Sequence, residues 1–216
     1  MNTLKYKLFY RRHLPHYQPL GATLFVTFRL AGSIPAEVMQ SLRAASEQID
    51  ARLALIADDK ERARQAYQEQ LILFEKWDKT LDLAGHGPTW LRDEEIATLI
   101  MDSLHYRHKK VYTLETFTVM SNHVHVLFTP LPRGENDEYH ALSAIMHSLK
   151  RHTALNANRI LGREGAFWQS ESYDHVVRDQ DDLQRIVHYI MHNPVKAGLV
   201  KEWEDWPWSY CRYDLS

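Results

Sequence analysis

The stretch Ser121-Asn122-His123-Val124-His125-Val126-Leu127-Phe128 constrains the chain most, because apolar and polar residues alternate through it with the period of a strand. Residues two apart on a strand share a face, so His123 and His125 project side by side while Val124, Val126 and Phe128 point into a core. Two imidazoles about 6 to 7 Å apart along a strand can share one ion. A half-buried strand with two ordinary histidines is the other reading of the same alternation.

Around that strand the pattern is α+β. Leu24, Val26, Phe28 and Leu30 alternate with Thr23, Phe25, Thr27 and Arg29, which marks a first strand with an unusually polar second face. From Pro35 to about Leu83 the chain becomes long, charged and Ala-rich. Val38, Leu42, Ala45, Ile49, Leu53 and Ile56 recur at helical spacing, followed by Tyr67, Leu71 and Phe74, so residues 36–85 read as a helical hairpin broken near Asp58-Asp59. Asp93 to His108 predicts a helix, Val111 to Met120 a strand, and Ser121-Asn122 a tight turn into the His123 strand. Tyr139 to Leu161 predicts another helix, Tyr173 to Arg178 a short strand, and Asp179 to Asn193 a last helix that Pro194 should end. With 36–85 set aside, the order is a split βαβ: a ferredoxin-like, RRM-like antiparallel sheet with an extra C-terminal helix. One domain over 1–216 follows, with the hairpin an insertion that projects from the sheet and is dispensable for chemistry.

Charge is distributed unevenly. The formal net charge is −2, yet residues 36–95 hold 13 acidic and 8 basic side chains, leaving 18 basic against 15 acidic elsewhere. Residues 1–30 carry Lys5, Lys7, Arg11, Arg12 and Arg29 with no acid, and residues 139–163 carry Lys150, Arg151, Arg159 and Arg163 with none. Clusters of one sign, more than net charge, attract phosphates. The single Cys211 excludes an intramolecular disulfide and a multi-cysteine zinc site. No run of 18 apolar residues offers a membrane span, and the N-terminus lacks a signal-peptide core, so a cytoplasmic protein is expected.

In the last helix, Tyr189 and Asn193 stand four apart and share a face. That spacing can put a hydroxyl nucleophile beside an amide metal ligand. A packed tyrosine and a C-terminal cap before proline would give the same spacing.

Taken together, SNHVHVLF, FWQSESYDHVVRD and YIMHNPVKAGLV resemble the REP-associated tyrosine transposases, a branch of the single-tyrosine HUH transposases. HVH matches the His-hydrophobic-His signature at His123 and His125, and YIMHN matches the helix that bears the nucleophilic tyrosine and a polar ligand, Tyr189 and Asn193. The resemblance runs from about Gly21 to Val200 and is interrupted by 36–85. It implies a metal-dependent single-stranded DNA endonuclease and transesterase, with Mg²⁺ or Mn²⁺ held by His123, His125 and Asn193. Tyr189 would form a 5′-phosphotyrosine at DNA presented by palindromic hairpins. The resemblance leaves open a monomer or a homodimer, and cleavage within one chain or across two. Arg11, Arg12, His13, Phe25, Arg29, Lys150 and Arg151 are the candidate DNA contacts, since bases stack on rings and phosphates seek Lys and Arg. Trp168 and Tyr173 read as core packing, and His175, His188 and His192 as spare histidines.

Two other classes compete. A non-catalytic RRM-like nucleic-acid-binding protein would carry aromatics, not histidines, on its two central strands. A zinc hydrolase would need a carboxylate beside His123 and His125, and no HExxH or similar spacing supplies one.

Overall fold

The computed structural model describes residues 21–83, 85–134 and 138–214. Five antiparallel strands form one sheet in the order β4-β1-β3-β2-β5, comprising β1 (Leu24–Leu30), β2 (Tyr112–Val119), β3 (His123–Pro130), β4 (Trp168–Val176) and β5 (Ser209–Cys211). The first four strands give the expected ferredoxin-like order, with β5 added outside β2. The register pairs Phe25 with Leu127, Thr27 with His125 and Arg29 with His123. These six side chains therefore share one face.

The other face is an apolar core. Val26, Phe28, Val124, Val126 and Phe128 pack there beneath α3 (Glu94–Arg107) and α4 (Leu142–Ile160), through Ile96, Ile100, Leu104, Ile145 and Leu149. Asp93 starts α3 as read from the sequence, accepting from the backbone N–H groups of Glu95 and Ile96.

The histidine-bearing face is covered by the hairpin, α1 (Ala36–Leu53) and α2 (Asp59–Asp82), and by α5 (Gln180–Lys196). The hairpin does not project. Leu42, Leu73, Phe74, Trp77 and Leu81 pack against Phe25, Leu127 and Tyr173 of the sheet and Ile186 and Ile190 of α5. Phe74 stacks on Tyr173 with ring centroids 4.3 Å apart and meets Phe25 edge-on at 5.5 Å. Its aromatic stripe outweighs its charged composition, because burying such rings stabilises more than solvating the far side costs. At its base the two ends close tightly: Gly87, at φ +74°, lies so near Gly32 that a Cβ would fall 2.1 Å from the Gly32 carbonyl oxygen.

The helix expected to stop before Pro194 instead contains it and ends at Lys196. Asn193 and Pro194 carbonyls accept from Ala197 and Leu199 N–H, so the last turn closes around the ring. β4 begins five residues earlier than the sequence pattern predicts, at Trp168, and β5 lies beyond it altogether. Among the described residues, no helix is long and apolar enough to cross a membrane.

Candidate metal and tyrosine centre

His123 and His125 are fully buried on the central strand, with Nε2 atoms 3.0 Å apart. Each ring is held from behind. His123 Nδ1 lies 2.7 Å from Asn122 Oδ1, and His125 Nδ1 lies 2.7 Å from Thr27 Oγ1. Asn122 is oriented in turn, because its Nδ2 donates to the Leu81 carbonyl of α2 at 3.1 Å. Its Oδ1 must therefore accept from His123 Nδ1–H, which leaves the His123 Nε2 lone pair facing the centre. Burial, and then the neighbouring His125, hold His123 well below the usual imidazole range, in the neutral form a metal ligand requires.

A third ligand type comes from the hairpin. Asp78 of α2 is fully buried, and its Oδ1 is 3.3 Å from His125 Nε2. Asp78, His123 and His125 offer ligand atoms that all lie within 4.8 Å of one another. Nitrogens 3.0 Å apart and each about 2.1 Å from a shared ion subtend about 90° at it, the angle between adjacent ligands of an octahedral site. The group can hold a divalent ion.

Tyr189 reaches the same place from α5. Its hydroxyl donates to Asp78 Oδ2, and its ring meets His125 with centroids 5.4 Å apart. Burial, followed by Asp78, raises its ionisation well above the ordinary tyrosine range, while Asn193 opposes the rise. Asn193 is fully buried, and neither atom of its carboxamide makes a hydrogen bond. Such orphaned groups are rare in an interior. Asp82, one turn beyond Asp78, is 3.9 Å from His123 Nε2 and pairs with Lys196 at 2.8 Å. Burial and then the Asp78 charge raise the Asp82 carboxyl. Lys196, which burial alone would lower, is raised by its bond to Asp82 and the charge of Asp78.

The predicted residues thus divide. His123, His125 and Tyr189 come together, with Asn193 buried one turn from Tyr189 on the same helix. Asp78, Asp82, Lys196 and Asn122 were missed. The signal for Asp78 was present, since Phe74, Trp77, Asp78 and Leu81 form one helical stripe and a carboxylate in an apolar stripe is out of pattern. Asp78 thus brings to the histidines a carboxylate that no HExxH or similar spacing announces.

The candidate DNA contacts fare differently. Phe25 is buried against the hairpin, and Arg29 is buried against Ser33 and Met39, its ionisation lowered to about 10 by burial. Lys150 turns inward, donating to Ser172 Oγ at 2.6 Å and to the Gln169 carbonyl at 2.9 Å, which ties α4 to β4. The hairpin covers Phe25 and Arg29 on the polar face of β1 and Lys150 turns inward, so these three candidate DNA contacts are committed to contacts within the chain. Arg151 is exposed. Arg11, Arg12 and His13 lie outside the described residues. Trp168 and Tyr173 are core residues, and His175 pairs with Asp182 at 3.0 Å.

The site is thus a ferredoxin-like sheet with paired histidines on its central strand and a tyrosine-bearing helix across them. The family described as transposase IS200 like matches residues 92–193, from the end of the hairpin through Asn193. By sequence the chain resembles the REP-associated tyrosine transposases. A protein so named in Haemophilus influenzae is 34% identical over 113 residues, covering 48% of this chain and 62% of that protein. Another in Escherichia coli K12 is 28% identical over 110 residues, covering 51% and 61%. The matches therefore span less than two thirds of either relative. A solved structure of a REP-associated tyrosine transposase bound to a REP hairpin superposes with a TM-score of 0.51 at 18% identity, covering 92% of this chain and 82% of that one. That likeness shows the fold.

Proposed function

We propose that the chain is a metal-dependent single-stranded DNA endonuclease and strand transferase that cuts near repeated palindromes through a 5′-phosphotyrosine on Tyr189. The observation that carries this reading is the meeting of the Tyr189 hydroxyl with a carboxylate that also faces the paired histidines. A bound Mg²⁺ or Mn²⁺ would supply Lewis-acid polarisation of a phosphate oxygen. His123 and His125 would hold it through their Nε2 atoms, and the unbonded Asn193 carboxamide would offer an oxygen one helical turn from Tyr189. In cleavage the Tyr189 oxygen bonds to phosphorus and releases its proton, the P–O3′ bond breaks, and the departing 3′ oxygen takes up a proton. The phosphodiester energy stays in the adduct, so a 3′ hydroxyl can reverse the step and join strands.

Tyr189 reaches the histidines of its own chain, which supports cleavage in cis by a monomer or by each half of a homodimer. The substrate class rests on the relatives, one of which was solved with a REP hairpin. Arg151, with Arg11, Arg12 and His13, remains a candidate DNA contact. The RRM-like alternative requires an open sheet face, and here α2 and α5 cover it. The Asp78, His123 and His125 set favours a second reading, a metal phosphodiesterase that uses water.

The test is to incubate the full chain with labelled single strands carrying palindromes and Mn²⁺, then run a denaturing gel. A protein-linked strand is expected. Cleaved strands without any covalent species would replace the transferase by the phosphodiesterase, and no cleavage at all would overturn both.

A further inference from the structure

We propose that Asp78, carried by the α1–α2 hairpin, is a bridging carboxylate of the centre: Oδ1 is a ligand to the ion shared by His123 and His125, and Oδ2 positions the Tyr189 hydroxyl. This deepens the proposed function and rests on it. The hairpin, expected from sequence to be dispensable, becomes a working part of the site.

The first support is an unserved atom. Asp78 is fully buried, and its Oδ1 accepts no hydrogen bond. A buried carboxylate oxygen without a donor is expensive, and the neighbour it faces is His125 Nε2 at 3.3 Å. Beside it the His123 Nε2 presents a lone pair, by the hydrogen bond that fixes Asn122. A cation shared by these three atoms would satisfy them together. Lys196 does not fill that role. Its side chain is half-exposed, and its Nζ lies 3.4 Å from the other oxygen, Oδ2, and pairs more closely with Asp82 at 2.8 Å.

The second support is the division of labour between the two oxygens. Oδ2 accepts the Tyr189 hydroxyl while Oδ1 stays with the imidazoles. One carboxylate thereby sets the nucleophile at the edge of the ligand cluster, a precision that flexible loops rarely give.

The third is the way α2 is fixed. Beyond the aromatic stripe, Tyr67 donates to Asp182 Oδ1 at 3.2 Å and accepts from Arg185 at 2.6 Å, both on α5. Arg178 lies 3.5 Å over the Tyr67 ring. The helix that bears Asp78 is thus bound to the helix that bears Tyr189, and its Leu81 carbonyl orients Asn122 behind His123. One element supplies a ligand, the hold on the nucleophile and the support of a second ligand.

The experiment titrates chelator-treated full chain with Mn²⁺, following free Mn²⁺ by electron paramagnetic resonance and the thermal midpoint in parallel. Asp78→Asn preserves shape and should weaken Mn²⁺ binding by about tenfold or more. Asp78→Glu keeps a carboxylate, so it should retain most Mn²⁺ binding but lose adduct formation through kcat more than KM, because the second oxygen no longer meets Tyr189. Glu75→Gln, an exposed carboxylate on the same helix, should match the parent. Tyr189→Phe should bind Mn²⁺ like the parent. Parent-like Mn²⁺ affinity in Asp78→Asn overturns the ligand role, and parent-like kcat in Asp78→Glu overturns the positioning role. If Asp78→Asn does not fold, the Asp78→Glu result decides alone. A parent that forms the covalent adduct while Asp78→Asn binds Mn²⁺ normally sinks this proposal and leaves the proposed function standing; a parent that forms no adduct sinks the function itself.

Discussion

The two faces of the sheet are built on opposite principles. Beneath α3 and α4, Val26, Phe28, Val126 and Phe128 meet apolar helices, and the packing is its own reason. Beneath α2 and α5, the same strands bury Thr27, Arg29, His123 and His125 against Asp78 and Asn193, with polar atoms left unserved. A face that stabilises needs no orphaned groups. One that keeps them bears a cost in stability, of the kind that functional sites concentrate.

That contrast can be broken by mutation. The largest effect should come from Tyr189→Phe, which removes one oxygen and keeps the ring: covalent DNA adduct should fall by about 10³-fold or more, while the thermal midpoint stays near that of the parent. An adduct formed at an ordinary rate would hand the reaction to another tyrosine. Next, the faces should answer differently to truncation. Phe28→Ala should lose about 3–5 kcal/mol in denaturant unfolding, and the molecules that remain folded should still cleave. His123→Ala should cost under about 1 kcal/mol without metal, since it relieves a buried lone pair, yet abolish Mn²⁺-dependent cleavage. Equal stability losses at the two positions would erase the distinction.

How far the sequence revealed this arrangement depends on the kind of signal. Alternation around His123 showed which histidines share a face, and helical spacing placed Asn193 one turn from Tyr189. Both are local periods, and local periods survive folding. Asp78 was illegible for a different reason. It sits among 13 acidic residues of a charged segment, and only its place on the Phe74, Trp77 and Leu81 stripe marks it as inward. Composition described the exposed side of the hairpin and hid the buried one. The burial of Phe25 and Arg29 was not legible because nothing in β1 reports a helix lying over it. Three-residue β5 is too short for any pattern, and Pro194 obeys the last-turn bonds around it rather than the rule that proline ends helices.

The smallest predicted effect sharpens the comparison from the apolar side. Asp174, paired with Val26 across β4 and β1, has its carboxyl raised to about 6 by burial. Its ordinary value is 3.8, so between about 3.8 and 6 the folded state holds a proton that the unfolded state has released. Stability from this group is therefore present at low pH and lost as pH rises through 6. Asp174→Asn should raise the thermal midpoint by a few degrees at pH 8 and leave it unchanged near pH 3. A gain that is the same at both values would show that charge burial is not its cause.

The bond between Tyr189 and Asp78 joins residues 111 positions apart. A nascent or clipped chain that lacks either half owns histidines but no aligned nucleophile. Under the proposed function, cleavage would therefore await the closure of the chain that brings Asp78 to Tyr189.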